Sequence, residues 1–279
     1  LRELGKGIIG KVNRKEDENG NYIIHLFLGR IILKMFFDEG IKDKFRIIKE
    51  LEPFLRHEIT HIIQTQSKGF VDYTDRRKEK IIHNFGKEID KIKVNSQEIA
   101  LNESFPLKMS KLLRLLILAF KDLIIAEGFA DFIQNYPKYN FDTKTSNELW
   151  KKALSCVEDS NELYEGIILR FRDINEEYAK KFSGGLPIFG ELLKTYSHSI
   201  GEHIYFQIVF SKGLKGKKID LNSIMKYRFG KLMKKYKEAC HATKIEPLLC
   251  LHGTSGKLNF SKIIGNLHQA RKKLEERFN

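Results

Sequence analysis

His57-Glu58-Ile59-Thr60-His61 spells H-E-x-x-H inside the run Leu51 to Gln66. Leu51, Phe54, Leu55, Ile59, Ile62 and Ile63 recur at three- and four-residue spacing, which predicts one apolar stripe on a helix over roughly residues 44–66. Positions i and i+4 of a helix lie on one face about one turn apart, so both imidazoles can grip a single zinc ion. Glu58 is then close enough to take a proton from a water bound to that ion.

A two-histidine site needs a third protein ligand and keeps its fourth position open. Ala126-Glu127-Gly128-Phe129-Ala130-Asp131-Phe132 closes a long apolar run, Leu112 to Ala126, and continues a second helix expected over about Met109 to Asn135. Glu127, Asp131 and Gln134 share one face at i, i+4 and i+7. Glu127 is therefore the expected third ligand. Asp131, one turn on, is expected to hydrogen-bond the free nitrogen of a ligand histidine, a partner that metal-bound histidines nearly always have. Gly128 and Ala130 are small, and are expected to let this helix approach the first one closely.

With both segments in view, HEITHIIQ at residues 57–64 and EGFADF at 127–132 resemble the paired signatures of the gluzincin metallopeptidases, closest to the peptidase MA-like group and the archaeal minigluzincins. The match is specific at these two segments and looser over residues 20–210. The resemblance implies a zinc endopeptidase-type site with Glu58 as general base and Glu127 as third ligand. It implies an α-rich α+β, zincin-like fold in two lobes: a small N-terminal sheet or hairpin, the active-site helix, and a helical C-terminal lobe completing the cleft. Several gluzincins also place a tyrosine on a later helix, where its hydroxyl stabilises the oxyanion. Here that would be Tyr196, in Tyr196-Ser197-His198-Ser199-Ile200-Gly201, with His198 and His203 as substitutes. A phenol or imidazolium aimed at developing negative charge suits that task.

Composition bounds the rest. A 42% hydrophobic and 31% charged content over 279 residues is that of a soluble globular protein, not a disordered or fibrous one. Fifty lysines and arginines against 36 acids give a formal net charge of +14. Such a balance can serve nucleic acid, an anionic membrane or acidic substrates. The basic residues read as spread along the whole chain, without one tract interleaved with aromatics, so nucleic acid is not the favoured partner and a peptide or protein substrate is. Cys156, Cys240 and Cys250 are too few and scattered for a disulfide framework, which suits a reducing, cytoplasmic setting. Their spacing to His241 and His252 matches no common zinc motif. The chain begins at Leu1, so residues are expected to precede it, and nothing in 1–20 resembles the apolar core of a signal peptide. The run Leu112–Ala126 is interrupted by Arg114, Lys121 and Asp122 and is too short to cross a membrane.

These anchors predict a catalytic lobe over residues 1–145 and a helical lobe over 146–279. Tyr22–Leu28 and Ile31–Phe37, joined by Gly29-Arg30, read as a hairpin. Residues 67–106 read as a polar insert. Helices are expected over Asn147–Ala153, Asn161–Phe182, Ile188–Phe210, Leu221–Ala242 and Ser261–Arg277, with Gly184-Gly185-Leu186-Pro187 as the clearest break. A competing motif, Gly5-Lys6-Gly7-Ile8-Ile9-Gly10-Lys11-Val12, has the form of a kinase glycine-rich loop, and His252-Gly253-Thr254 with Asn259 mimics a catalytic loop in spacing. Threonine stands where a kinase needs aspartate, and no D-F-G follows, so that chemistry is the least favoured. The expected function is zinc-dependent peptide hydrolysis by a zinc-activated water with Glu58 as base. The alternative is a latent or non-catalytic zincin-like binding protein, associated with nucleic acid.

Overall fold

A computed structural model describes residues 10–12, 24–26, 44–67, 84, 105–174, 176–250 and 256–277. It is an α-rich α+β fold. Strand β1 (Gly10–Val12) pairs antiparallel with β2 (Ile24–Leu26), Lys11 opposite His25. Then follow α1 (Lys44–Gln66), α2 (Phe105–Asn135), a 3₁₀ turn (Tyr136–Lys138), α3 (Thr143–Arg172) and α4 (Glu176–Leu214). The chain closes with α5 (Leu221–Met225), α6 (Phe229–Thr243), β3 (Leu249–Cys250) paired in parallel with β4 (Leu258–Asn259), and α7 (Phe260–Glu275). Strand β2 is the centre of the expected first hairpin strand, and its partner is the end of the glycine-rich stretch. The Gly29-Arg30 turn, Ile31–Phe37 and His252-Gly253-Thr254 lie outside the described residues, as does most of the 67–106 insert.

Helix α2 organises the molecule. At 31 residues it is about 46 Å long. Pro106 stands in its first turn, where a missing N–H costs nothing. Met109, Leu112, Phe120, Ile124 and Phe132 are buried on different sides of it, because α1, α4 and α7 all pack against it. The α2–α4 contact is the most extensive in the fold. Phe129 and Phe132 meet Tyr205 there, at ring-centroid distances of 5.0 and 6.4 Å. Residues on both sides of position 145 thus share one continuous core. None of the helices among the described residues is long and apolar enough to cross a membrane.

Three helix boundaries differ from the sequence reading. Helix α4 runs through Gly184-Gly185-Leu186-Pro187, the expected break. A proline removes one helical hydrogen bond and strains one turn, and the following buried run from Leu193 through Ile200, Ile204 and Val209 supplies packing that outweighs the local preference. The two helices expected over 147–182 are one helix ending at Arg172, started by Asp142, whose carboxylate accepts the Thr145 N–H at 2.8 Å. The single helix expected over 221–242 is two, because Arg228 is extended and the Tyr227 N–H turns back to the Ile224 carbonyl. Asn259 caps α7 by accepting the Lys262 N–H at 3.1 Å, which gives the catalytic-loop mimic a structural role.

Helix α1 is seated in an unexpected way. The expected apolar stripe is not the buried face: Leu55, Ile59 and Ile63 are 36, 44 and 46% exposed. Among the α1 residues whose burial is described, the buried ones apart from Pro53 are polar: Glu58, Thr60, His61 and Gln64. The face carrying the motif is the one laid against α2.

Candidate metal centre

His57 and His61 stand one turn apart on α1, as the four-residue spacing dictates, and α2 brings Glu127 to them. His57 Nε2 lies 3.1 Å from His61 Nε2, and His61 Nε2 lies 3.1 Å from Glu127 Oε2. The third side, His57 Nε2 to Glu127 Oε2, is 3.4 Å. A tetrahedral ion with bonds of about 2.0–2.1 Å to nitrogen and oxygen has ligand–ligand edges of about 3.3 Å. The triangle therefore has the size of one face of a zinc tetrahedron. Among the described residues, these three form the group able to hold a metal ion.

The outer nitrogen of each histidine lies beside a polar side chain, and both Nε2 atoms are turned toward Glu127. His61 Nδ1 sits 2.9 Å from Gln64 Oε1, and the Gln64 amide donates to the Ala126 carbonyl at 3.1 Å. An Nδ1–H donated to Gln64 leaves the Nε2 lone pair free for a metal. His57 Nδ1 lies 2.8 Å from Asp131 Oδ1, close but bent from a straight hydrogen bond. The other oxygen of Asp131, Oδ2, is 2.8 Å from His198 Nδ1 on α4. One carboxylate thus holds two imidazoles, whose rings stack at 5.9 Å. His198 Nε2 then reaches to 3.9 Å from Glu127 Oε2.

Charge in the site follows from burial set against these neighbours. Burial opposes ionisation of Glu127, but hydrogen bonds from His57 and His61 hold it well below the usual carboxylate range. Burial likewise works against Asp131, yet His198 and His57 hold it at about 2. For His57 burial opposes the charge, and Asp131 and Glu127 overcome it, raising its pKa to about 10. Glu58 is different. Burial raises its pKa, and the charges of His57 and His61 only partly offset that. A carboxylate made more basic in this way, beside two histidines able to hold a metal ion, is suited to accepting a proton.

The remaining sequence candidates fall elsewhere. Tyr196 is two residues from His198 and so on the other side of α4; the titratable groups that act on its hydroxyl are Asp159, Cys156 and Glu162, all on α3. His203 is fully buried, with Nε2 3.1 Å from the Tyr236 hydroxyl, and burial drops its pKa to about 3. His198 is therefore the member of that segment brought to the site. Gly128 does admit a close approach, but to α4, not to α1: a β-carbon on it would stand 2.3 Å from Gly201 Cα. The Gln64 role went unassigned in the sequence, although three residues from His61 on a helix is hydrogen-bonding distance. Compared with known proteins, the chain matches no family model, no curated protein and no solved structure.

Proposed function

We propose that the protein is a zinc-dependent metallopeptidase of gluzincin type, with the cleft of a two-lobed, zincin-like fold lying over the α1–α2 crossing. The observation that carries this reading is the His57, His61, Glu127 triangle at tetrahedral-edge distances with Glu58 beside it. A zinc ion held there would polarise a peptide carbonyl and make water a stronger nucleophile at neutral pH. Glu58 accepts the proton that the attacking water loses and delivers it to the departing amine nitrogen as the C–N bond breaks. Glu127 supplies the negative charge that balances part of the ion's own. Asp131 and Gln64 keep the Nδ1 protons of His57 and His61 turned outward, so that both Nε2 atoms stay available. His198, oriented by Asp131, faces the same space and can donate to negative charge developing on the carbonyl oxygen.

A metal-holding protein without turnover is the second reading. His198 favours it, because a fourth protein donor near Glu127 would close the site. Glu58 favours the first, since a closed structural site has no use for a base. Metal content and cleavage of a generic peptide library separate the two. One equivalent of zinc with cleavage that Glu58→Gln abolishes supports the peptidase. One equivalent of zinc with no cleavage by either protein supports the second reading. Absence of zinc from freshly purified protein, with no difference from His57→Ala, defeats both.

A further inference from the structure

The even spread of positive charge expected along the chain does not hold when the residues are counted segment by segment. Residues 212–244 contain eleven lysines and arginines and two acids, Asp220 and Glu238. Nine of the fourteen net positive charges thus sit in 33 residues, and the other 246 carry five. The fold turns this tract into a surface. The inward side of α6 is committed to the core through Phe229, Leu232, Met233, Tyr236 and Cys240. That leaves Lys231, Lys234, Lys235 and Lys237 to the outward side. Lys215, Lys217 and Lys218 are exposed in the loop that leaves α4, beside Gly213 and Gly216.

On this side Lys235 pairs with Glu238, at 2.6 Å. The first turn of α6 carries no acid, although the positive end of a helix dipole favours one there. Like charges that outnumber their counter-charges raise the free energy of the folded chain, and an anionic partner relieves that repulsion.

We propose that the outward face of α6, with the loop following α4, docks double-stranded nucleic acid through its phosphates, without reading sequence. Lysines three and four residues apart on a rigid helix present closely spaced cations. A duplex offers a matching density, one negative charge per roughly 1.7 Å of axis. The aromatic residues of this region, Tyr227, Phe229 and Tyr236, are buried, so the face has no platform on which unpaired bases could stack. A membrane-binding face would need apolar side chains to insert, and Leu214 is the exposed large one among the described residues here. The face stands apart from the metal centre: His198 and Lys212 are fourteen residues apart on α4, about 21 Å.

The test uses the full chain and random-sequence 24-mers as probes: duplex DNA, duplex RNA and single-stranded DNA, read by fluorescence anisotropy across a salt series. Binding to either duplex, tighter than to the single strand, is expected, with an affinity that falls steeply with salt. Replacing Lys231, Lys234, Lys235 and Lys237 together by glutamine should weaken it at least ~10-fold at low salt and lower the log–log salt slope by about 3. A control that loses the same charge elsewhere, Lys111, Lys144, Lys151 and Lys272 to glutamine, should stay within ~3-fold of the parent. Circular dichroism checks that both variants are folded. Equal losses in the two variants would mean that binding follows net charge, and would overturn the proposal. So would absence of duplex binding at low salt, or retention by phosphatidylserine vesicles of protein that leaves the duplex free.

Discussion

Gly128 and Gly201 meet backbone to backbone where α2 crosses α4. A β-carbon built on Gly201 would lie 2.4 Å from Gly128 Cα and 2.5 Å from the Ile124 carbonyl oxygen. The contact sits one residue from Glu127 and three from both Asp131 and His198, so it sets the helix separation at which Asp131 can touch His57 and His198 together. Gly201→Ala should force the helices apart. Overpacking against backbone that cannot rotate away should cost about 2 kcal/mol or more, and the melting temperature should fall by roughly 2–4 °C for each kcal/mol. Gly190→Ala on the same helix meets nothing within 4 Å. That control should hold or raise the melting temperature, since alanine is up to ~1 kcal/mol the better helix former.

Glu58→Gln and Glu127→Gln separate base from ligand. The first keeps shape but cannot take a proton, so zinc content should be unchanged while peptide cleavage falls by roughly 10²–10⁴. The second replaces an anionic ligand by a neutral amide and should lose the metal itself. Zinc analysis beside a peptide-library assay reads both. Full cleavage by Glu58→Gln would contradict its role.

Asp131→Ala removes the carboxylate shared by His57 and His198. Loss of such a partner typically weakens metal affinity by about 10–100-fold, measurable by competition with a chelator. Gln64→Ala should act in the same direction through His61.

His198→Gln and Tyr196→Phe distinguish two candidates for the oxyanion. His198→Gln should keep zinc and slow turnover by roughly 10²–10³. Tyr196→Phe should change neither, because its hydroxyl lies among α3 side chains. A reversed outcome would return Tyr196 to the site.

His203 gives the fold a pH dependence. Its folded pKa is about 3, whereas a solvated histidine titrates near 6.5. Below about pH 6.5 the unfolded chain takes a proton that the folded one refuses. Stability contributed by this residue is therefore lost as pH falls from 6.5 toward 3, by about 1.4 kcal/mol per unit. Urea unfolding at pH 7 and pH 5 should show a loss in the parent that is reduced in His203→Gln. An equal loss in both would rule His203 out as the cause.

The candidate metal residues were readable from sequence because each helix contributes a pair that obeys a local rule. Four-residue spacing on α1 aligns His57 with His61, and four-residue spacing on α2 aligns Glu127 with Asp131. What joins the two helices could not be read so directly. Asp131 and His198 are 67 residues apart, and their contact depends on two glycines that look unremarkable in isolation. Pro187 misled for a related reason: its effect on one turn is local, while the packing that keeps α4 helical is not. The stripe Leu55, Ile59, Ile63 has helical period, but period alone does not say which face is turned inward. Here the inward face was the one carrying ligands.

A metal ion held by His57, His61 and Glu127 would fasten α1 to α2, given that seating. Glu58, Thr60, His61 and Gln64 are side chains that water solvates nearly as well as the α2 surface does, so burying this part of α1 gains little. Helices α2 and α4 hold each other through edge-on and tilted aromatic contacts, and their amide protons are expected to exchange only when the whole core opens. The α1 segment is expected to exchange by local opening, ahead of that core. Metal that binds only the closed arrangement lowers the frequency of that opening in proportion to its occupancy. A chelator would then act first as a local denaturant, releasing one helix from an otherwise intact scaffold.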